Sequence, residues 1–146
     1  MLIVYDSDGF CCCSAWLGDP EFRGKSSVVV RGLKDGIYTC VAAAGNEWMS
    51  VPITAIVSGS VETEVRIRLA RTSKVEVRVS EEPVIYSYKL YVDGSSAYIA
   101  NKSTVPQTRF GKLLPPARWV LDVQQSNGEV RRHVLNVTES CATYSF

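Results

Sequence analysis

The sequence predicts an all-β fold, and three observations carry the prediction. Apolar and polar residues alternate over short runs, most clearly in Val61-Glu-Thr-Glu-Val-Arg-Ile-Arg-Leu69. There Val61, Thr63, Val65, Ile67 and Leu69 share one face, and Glu62, Glu64, Arg66 and Arg68 share the other. That period of two suits a strand with one buried and one solvated face. Turn residues separate such runs at the spacing of roughly 8–12 residues typical of sandwiches and barrels. No stretch holds the i, i+3, i+4, i+7 apolar pattern of an amphipathic helix.

In chain order, strands are expected at residues 2–5 and 10–16, on either side of the turn Asp6-Ser-Asp-Gly9. A strand at 27–31 leads through Lys34-Asp-Gly36 to one at 37–43, and Gly45-Asn46 turns the chain into 48–57. Ser58-Gly-Ser60 precedes the alternating run 61–69, and Lys74-Val-Glu-Val-Arg-Val79 repeats its pattern. Strands at 84–92 and 97–100 follow, joined by Asp93-Gly94, then 108–112 and 119–125. Asn127-Gly128, a hairpin dipeptide, leads into 129–137, and residues 141–146 form the last strand.

The pattern repeats at an offset of about 80 residues. Leu33-Lys-Asp-Gly-Ile-Tyr-Thr-Cys-Val-Ala parallels Leu114-Pro-Pro-Ala-Arg-Trp-Val-Leu-Asp-Val. Each has a leucine, a tight turn and a strand opening on an aromatic residue, Tyr38 or Trp119; a glycine turn and two more strands follow. We read two tandem Greek-key β-sandwiches, residues 1–71 and 72–146, each with a modest core that gains from packing on the other. The Leu33…Gly36-Ile37-Tyr38 segment resembles the G-L-P-x-G-x-Y strand of carboxypeptidase-regulatory-like (transthyretin-like or prealbumin-like) domains. Leu114-Pro115-Pro116 with Trp119 is similar to the same motif, with Ala117 where the family usually has Gly, and 61–69 resembles its closing strand. The resemblance implies seven-stranded Ig-like modules that mostly serve as non-catalytic parts of surface proteins, enzymes and adhesins; it fixes no function.

The two copies differ at their beginnings. The second has an opening strand at 74–79 before the strands at 84–92 and 97–100, whereas in the first residues 2–5 and 10–16 match the two later positions and nothing precedes Met1. On that alignment the first copy lacks a strand, and an open edge is a template for pairing with another chain. The alternative makes residues 2–5 the first strand, with a shorter loop in place of the second.

Composition narrows the classes. The 146 residues are 46% hydrophobic and 21% charged, with a net charge of +1, so neither disorder nor a global field for nucleic acid is expected. No apolar run reaches the roughly 18 residues of a membrane span. The N-terminus lacks the basic and apolar regions of a secretory signal, although an extracellular or particle-surface setting suits the Asn101 and Asn136 glycosylation triplets.

Five cysteines, Cys11, Cys12, Cys13, Cys40 and Cys141, form no C-x-x-C pair, and three in a row along a strand point alternately up and down. This does not suit a zinc site; they read as small buried hydrophobes or as disulfide partners within or between chains. Asp6 and Asp8 open like a calcium loop but lack a matching distal ligand beyond Glu21, so a plain turn is expected. His133, the single histidine, has no nucleophile elbow and reads as a surface strand residue. The adjacent Glu81 and Glu82 do not make a glycosidase pair. Arg131, Arg132, Arg118 and Lys112 form at most a small basic patch. No catalytic, metal or cofactor residues are assigned.

The contact elements expected for assembly are Leu2, Ile3, Val4 and Tyr5, the Cys11, Cys12 and Cys13 run, and Tyr86, Tyr88 and Tyr91. The last three lie on a strand with two fairly apolar faces, which suits either an interface or a core between the two sandwiches. The expected function is a structural or adhesive module that assembles with itself or with a larger surface or particle protein. The alternative is a carbohydrate-binding module that draws its stacking residues from Trp16, Trp48, Trp119, Tyr86, Tyr88, Tyr91 and Tyr98, although Trp119, like Tyr38, reads as core.

Overall fold

The computed structural model describes residues 1–15, 27–59, 61–78, 85–125, 127–138 and 142–145. Trp16, Glu21, Cys141 and the Glu81-Glu82 turn lie outside the described residues, as do the side chains of Tyr86 and Asn101. The described residues form strands and connections with no helix: β1 (Leu2–Tyr5), β2 (Cys11–Ala15), β3 (Gly36–Ala44), β4 (Trp48–Met49), β5 (Ile53–Val57), β6 (Ala70–Arg71), β7 (Ser73–Arg78), β8 (Ile85–Val92), β9 (Tyr98–Gln107), β10 (Arg109–Leu114), β11 (Ala117–Gln125), β12 (Val130–Val137) and β13 (Ala142–Ser145). The all-β class expected from alternation is the class observed.

These strands build three sheets. One runs β2-β1-β3-β4-β6, with β5 also on β3; a second runs β10-β7-β13; the third runs β12-β11-β8-β9. All pairings are antiparallel except that of β13 with β7. Glycines close the hairpins where the chain needs a left-handed residue. Gly9, at φ +82°, lets the Asp6 backbone pair with Phe10 across the β1–β2 turn, and Gly128, at φ +84°, does the same between Gln125 and Glu129.

The expected strand over 48–57 is split in two. Pro52 has no N–H to give to a ladder, and the chain shifts at Ser50. There one residue does the work of two: the Ser50 N–H donates to the Ala42 carbonyl at 2.8 Å, and its hydroxyl accepts the Ala42 N–H at 2.9 Å. Both groups of Ala42 are therefore satisfied inside a buried stretch of β3, and β5 resumes pairing with β3 beyond the irregularity.

Two apolar clusters result. The larger joins Val75 and Val77 of β7, Tyr88 and Leu90 of β8, Leu114 of β10, Trp119, Leu121 and Val123 of β11, and Leu135 and Val137 of β12, between the β10-β7-β13 and β12-β11-β8-β9 sheets. The smaller is made of Val4, Tyr38, Cys40 and Ala55. Hydroxyl contacts tie the two parts of the chain: the Tyr98 hydroxyl donates to the Ser7 carbonyl at 2.6 Å, and the Thr54 and Ser96 hydroxyls lie 3.4 Å apart.

Two expected strands, 27–31 and 61–69, are not in any sheet. Residues 27–34 and 61–69 carry no ladder pairing among the described residues. Alternation survives in the second segment: Val65, Ile67 and Leu69 are half-buried, while Glu64, Arg66 and Arg68 are exposed. The pattern thus reports which face meets the core; a ladder also requires a neighbouring backbone.

Candidate functional site

The smaller cluster and the larger one are built on the same plan. The order β2-β1-β3-β5 corresponds to β9-β8-β11-β12. Cross-strand partners agree as well: Val4 faces Cys40 as Leu90 faces Leu121, and Tyr38 faces Ala55 as Trp119 faces Leu135. Both aromatic residues fasten the turn before their strand. The Tyr38 hydroxyl donates to the Lys34 carbonyl at 2.9 Å, and Trp119 Nε1 donates to the Pro115 carbonyl at 3.0 Å, each four residues upstream.

The plans diverge on the opposite side of the core. Over the larger cluster β7 is the middle strand, antiparallel to β10 and parallel to β13, and it lowers Val75 and Val77 fully into the interior. Over the smaller cluster, residues 27–33 take the chain position of β10 and residues 61–69 that of β13. Val30 and Leu33 from the first, and Val65 and Ile67 from the second, pack on the same four buried residues. Gly32, at φ +79°, supplies the kink that puts Leu33 back on the core side after Val30. No described strand takes the place of β7. Since β10 and β13 pair only with β7, the lack of a ladder at 27–33 and 61–69 follows from the absence of that one element among the described residues.

Exposure records the consequence. Tyr38, Cys40 and Ala55 keep 7–8% of their surface exposed, whereas Trp119, Leu121 and Leu135 keep none. Val29 and Val61, at 60% and 75%, stand in solvent. This is an apolar core covered by two segments that carry no ladder pairing among the described residues.

The other expected site residues are distributed as follows. Leu2–Tyr5 does not form the open edge: β1 is paired on one side with β2 and on the other with β3, and Val4 is buried. It occupies the position of β8, not that of β7. Cys11 and Cys12 are exposed on β2, Cys13 is half-buried behind Val4, and Cys40 is buried; all four are free thiols. Desolvation pushes the Cys12, Cys13 and Cys40 thiols up, with the Asp6 charge adding at Cys12 and neighbouring cysteines adding at each. Such thiols are held protonated.

Tyr88 is buried and stacked on Phe110 at 4.7 Å, because its face of β8 points into the larger core; its side chain is not a contact surface. Trp119 is likewise interior, so neither residue is available for stacking on a sugar, while Trp48 is 45% exposed. The Asp6 carboxylate is consumed by its own turn, accepting the N–H groups of Asp8 at 3.0 Å and Phe10 at 2.8 Å. His133, expected on the surface, is half-buried on the face of β12 that carries Leu135 and Val137; burial and Arg131 lower its pKa. The basic residues are engaged singly: Arg118 with Asp93, Arg131 with Glu129, Arg132 with Asp122, and Lys112 over the Tyr88 ring.

The sequence reading missed one polar cluster. Asp122 accepts two bonds from Arg132, at 2.8 and 3.0 Å, and one from the Tyr91 hydroxyl at 3.0 Å. Arg132, and secondarily Tyr91, hold the Asp122 carboxyl below its ordinary range. A group whose folded pKa is depressed stabilises the fold above its unfolded pKa, near 3.9, and loses that contribution as pH falls through the folded value. Asp122→Asn is therefore expected to lower the urea midpoint modestly at pH 7, with the difference from wild type shrinking as pH is brought from about 4 toward 2. Paired urea titrations across that range check it; a gap that persists at low pH would mean that packing, not charge, was lost. Three residues from β8, β11 and β12 meet here because of strand register, for which the sequence carries no local signal.

No family model matches the chain, and neither a curated protein nor a solved structure matches it.

Proposed function

We propose that this chain is a non-catalytic structural β module, made of two tandem transthyretin-like sandwiches, that assembles with copies of itself or within a larger surface or particle protein. The observation that carries this reading is that the core of Val4, Tyr38, Cys40 and Ala55 is covered by two segments without ladder partners among the described residues. Strand pairing across chains supplies what such a surface lacks: main-chain hydrogen bonds worth roughly 0.5–1.5 kcal/mol each, and aliphatic side chains to finish the core. Supporting it, the strand orders and registers of the two parts agree, and the polar clusters near Asp6 and Asp122 are internally satisfied.

The test is a light-scattering mass on a sizing column, with and without reductant, and negative-stain images of any large fraction. The expected result is a mass above the 16.1 kDa of one chain that survives reductant, since pairing by backbone needs no disulfide. A single 16.1 kDa species in both buffers overturns self-assembly.

A further inference from the structure

We infer that Asn127-Gly128 is a site of spontaneous covalent modification, the deamidation of Asn127, and that local opening of the β11–β12 hairpin tip sets its rate. Of the four asparagines in the chain, only Asn127 precedes a glycine. Deamidation begins when the backbone nitrogen of the next residue attacks the side-chain carbonyl carbon, and a side chain on that residue hinders the approach. Gly128 has none, and a Cβ built there would meet nothing within 4 Å, so the space around its nitrogen is open. The Gly128 nitrogen gives up its proton and bonds to Asn127 Cγ, the side-chain nitrogen leaves as ammonia, and a cyclic imide closes. Water then opens the imide at either carbonyl. The product is aspartate, or isoaspartate with the main chain running through Cγ; the reaction consumes one water and involves no oxidation.

The folded hairpin opposes the first step. The Gly128 N–H donates to the Gln125 carbonyl at 3.0 Å, so the attacking nitrogen is tied to the turn. Its target is tied as well: Asn127 Oδ1 accepts the Glu129 N–H at 2.9 Å, and Nδ2 donates to Glu129 Oε2 at 3.4 Å. These restraints belong to an exposed tip, and breaking them does not require the two sheets to separate. One buried group favours opening. Gln125, 5% exposed at the end of β11, holds its Oε1 buried without a hydrogen-bond partner. Hydration of that oxygen on opening offsets part of the cost of the lost turn bonds.

The products do not restore the turn. A carboxylate at position 127 lacks the donor that meets Glu129 and sets a second negative charge beside it, in competition for Arg131, which lies 3.0 Å from Glu129. Isoaspartate lengthens the main chain inside the loop whose bonds, Gly128 to Gln125 and Gln125 to Glu129, hold the tip in register.

The test incubates the full chain and a peptide of residues 123–131 in the same mildly alkaline buffer. Mass spectrometry after digestion follows conversion, and chromatography separates aspartate from isoaspartate. We expect both products in the peptide and conversion at least about tenfold slower in the folded chain. Asn46 and Asn136, which precede Glu47 and Val137, are expected to lag far behind. Urea below the unfolding transition is expected to leave the chain's rate nearly flat. Gln125→Met removes the unpartnered oxygen and keeps the side chain's length; it is expected to slow the chain about threefold and leave the peptide unchanged. Near-ultraviolet circular dichroism from the buried Trp119 environment confirms that the variant is folded. Equal rates in chain and peptide overturn control by the hairpin. A chain that converts only as urea unfolds it, or a Gln125→Met chain as fast as wild type, overturns local opening. No conversion at Asn127 in the peptide, or conversion no faster than at Asn46 and Asn136, overturns the site.

Discussion

Replacing Trp119 by alanine will cost about 3–5 kcal/mol, the range for truncating a large, fully buried aromatic residue. Trp119 has no exposed surface, stands at the centre of the larger cluster and donates its indole N–H to the Pro115 carbonyl at 3.0 Å. Alanine removes the ring, opens a cavity between β7, β8, β11 and β12, and unfastens the turn that starts β11. For a chain whose total stability is of the order of 5–15 kcal/mol, this takes away a large share. Urea denaturation followed by far-ultraviolet circular dichroism measures it. Tyr38→Ala, at the matching position of the smaller cluster, is expected to cost visibly less, since Tyr38 and its neighbours already keep some exposed surface. Equal losses at the two positions would contradict the view that the larger core is the more completely buried of the two.

That asymmetry also shows what could be read without coordinates. Alternation identified nearly every strand, because the side-chain period of a half-buried strand is written directly in residue order. The repeat was legible for the same reason: Leu33 and Leu114, Tyr38 and Trp119 hold the same local geometry around a turn, down to the hydrogen bond to the fourth residue back. The alignment of residues 2–5 with the strand at 84–92 rests on the same comparison, and β1 falls where β8 does. What the sequence could not state is which backbone meets which. Val61 to Leu69 has the best strand pattern in the chain, yet it has no ladder among the described residues because its pairing depends on an element far from it in sequence. The sequence leaves Tyr88 open between interface and core for a related reason. Both faces of its strand are apolar, and only the register with β11 reveals that one faces the core, beside Val123. The Asp122 cluster joins residues from three strands and has no sequence motif.

The widest difference is expected in hydrogen exchange. Amides of 109–114 are bonded to β7 in the ladder of six register pairs, and β7 itself is sealed by Val75 and Val77 in the larger core. Opening them requires separating the two sheets over that core, so their ladder-bonded amides exchange only through large-scale unfolding. Residues 27–33 and 61–69 have the same type of sequence and the same position over a core, but no backbone partner among the described residues, so nothing beyond local fluctuation protects them. If closure of the larger core is worth even 5 kcal/mol, protection at 109–114 will exceed that at 27–33 by about 10³-fold or more. Exchange measured by mass spectrometry on the monomeric chain, with peptides spanning 27–34, 61–69 and 109–114, decides it. Comparable protection in all three would mean that a backbone already lies between 27–33 and 61–69. Rapid exchange in the first two and slow exchange in the third is the expected result.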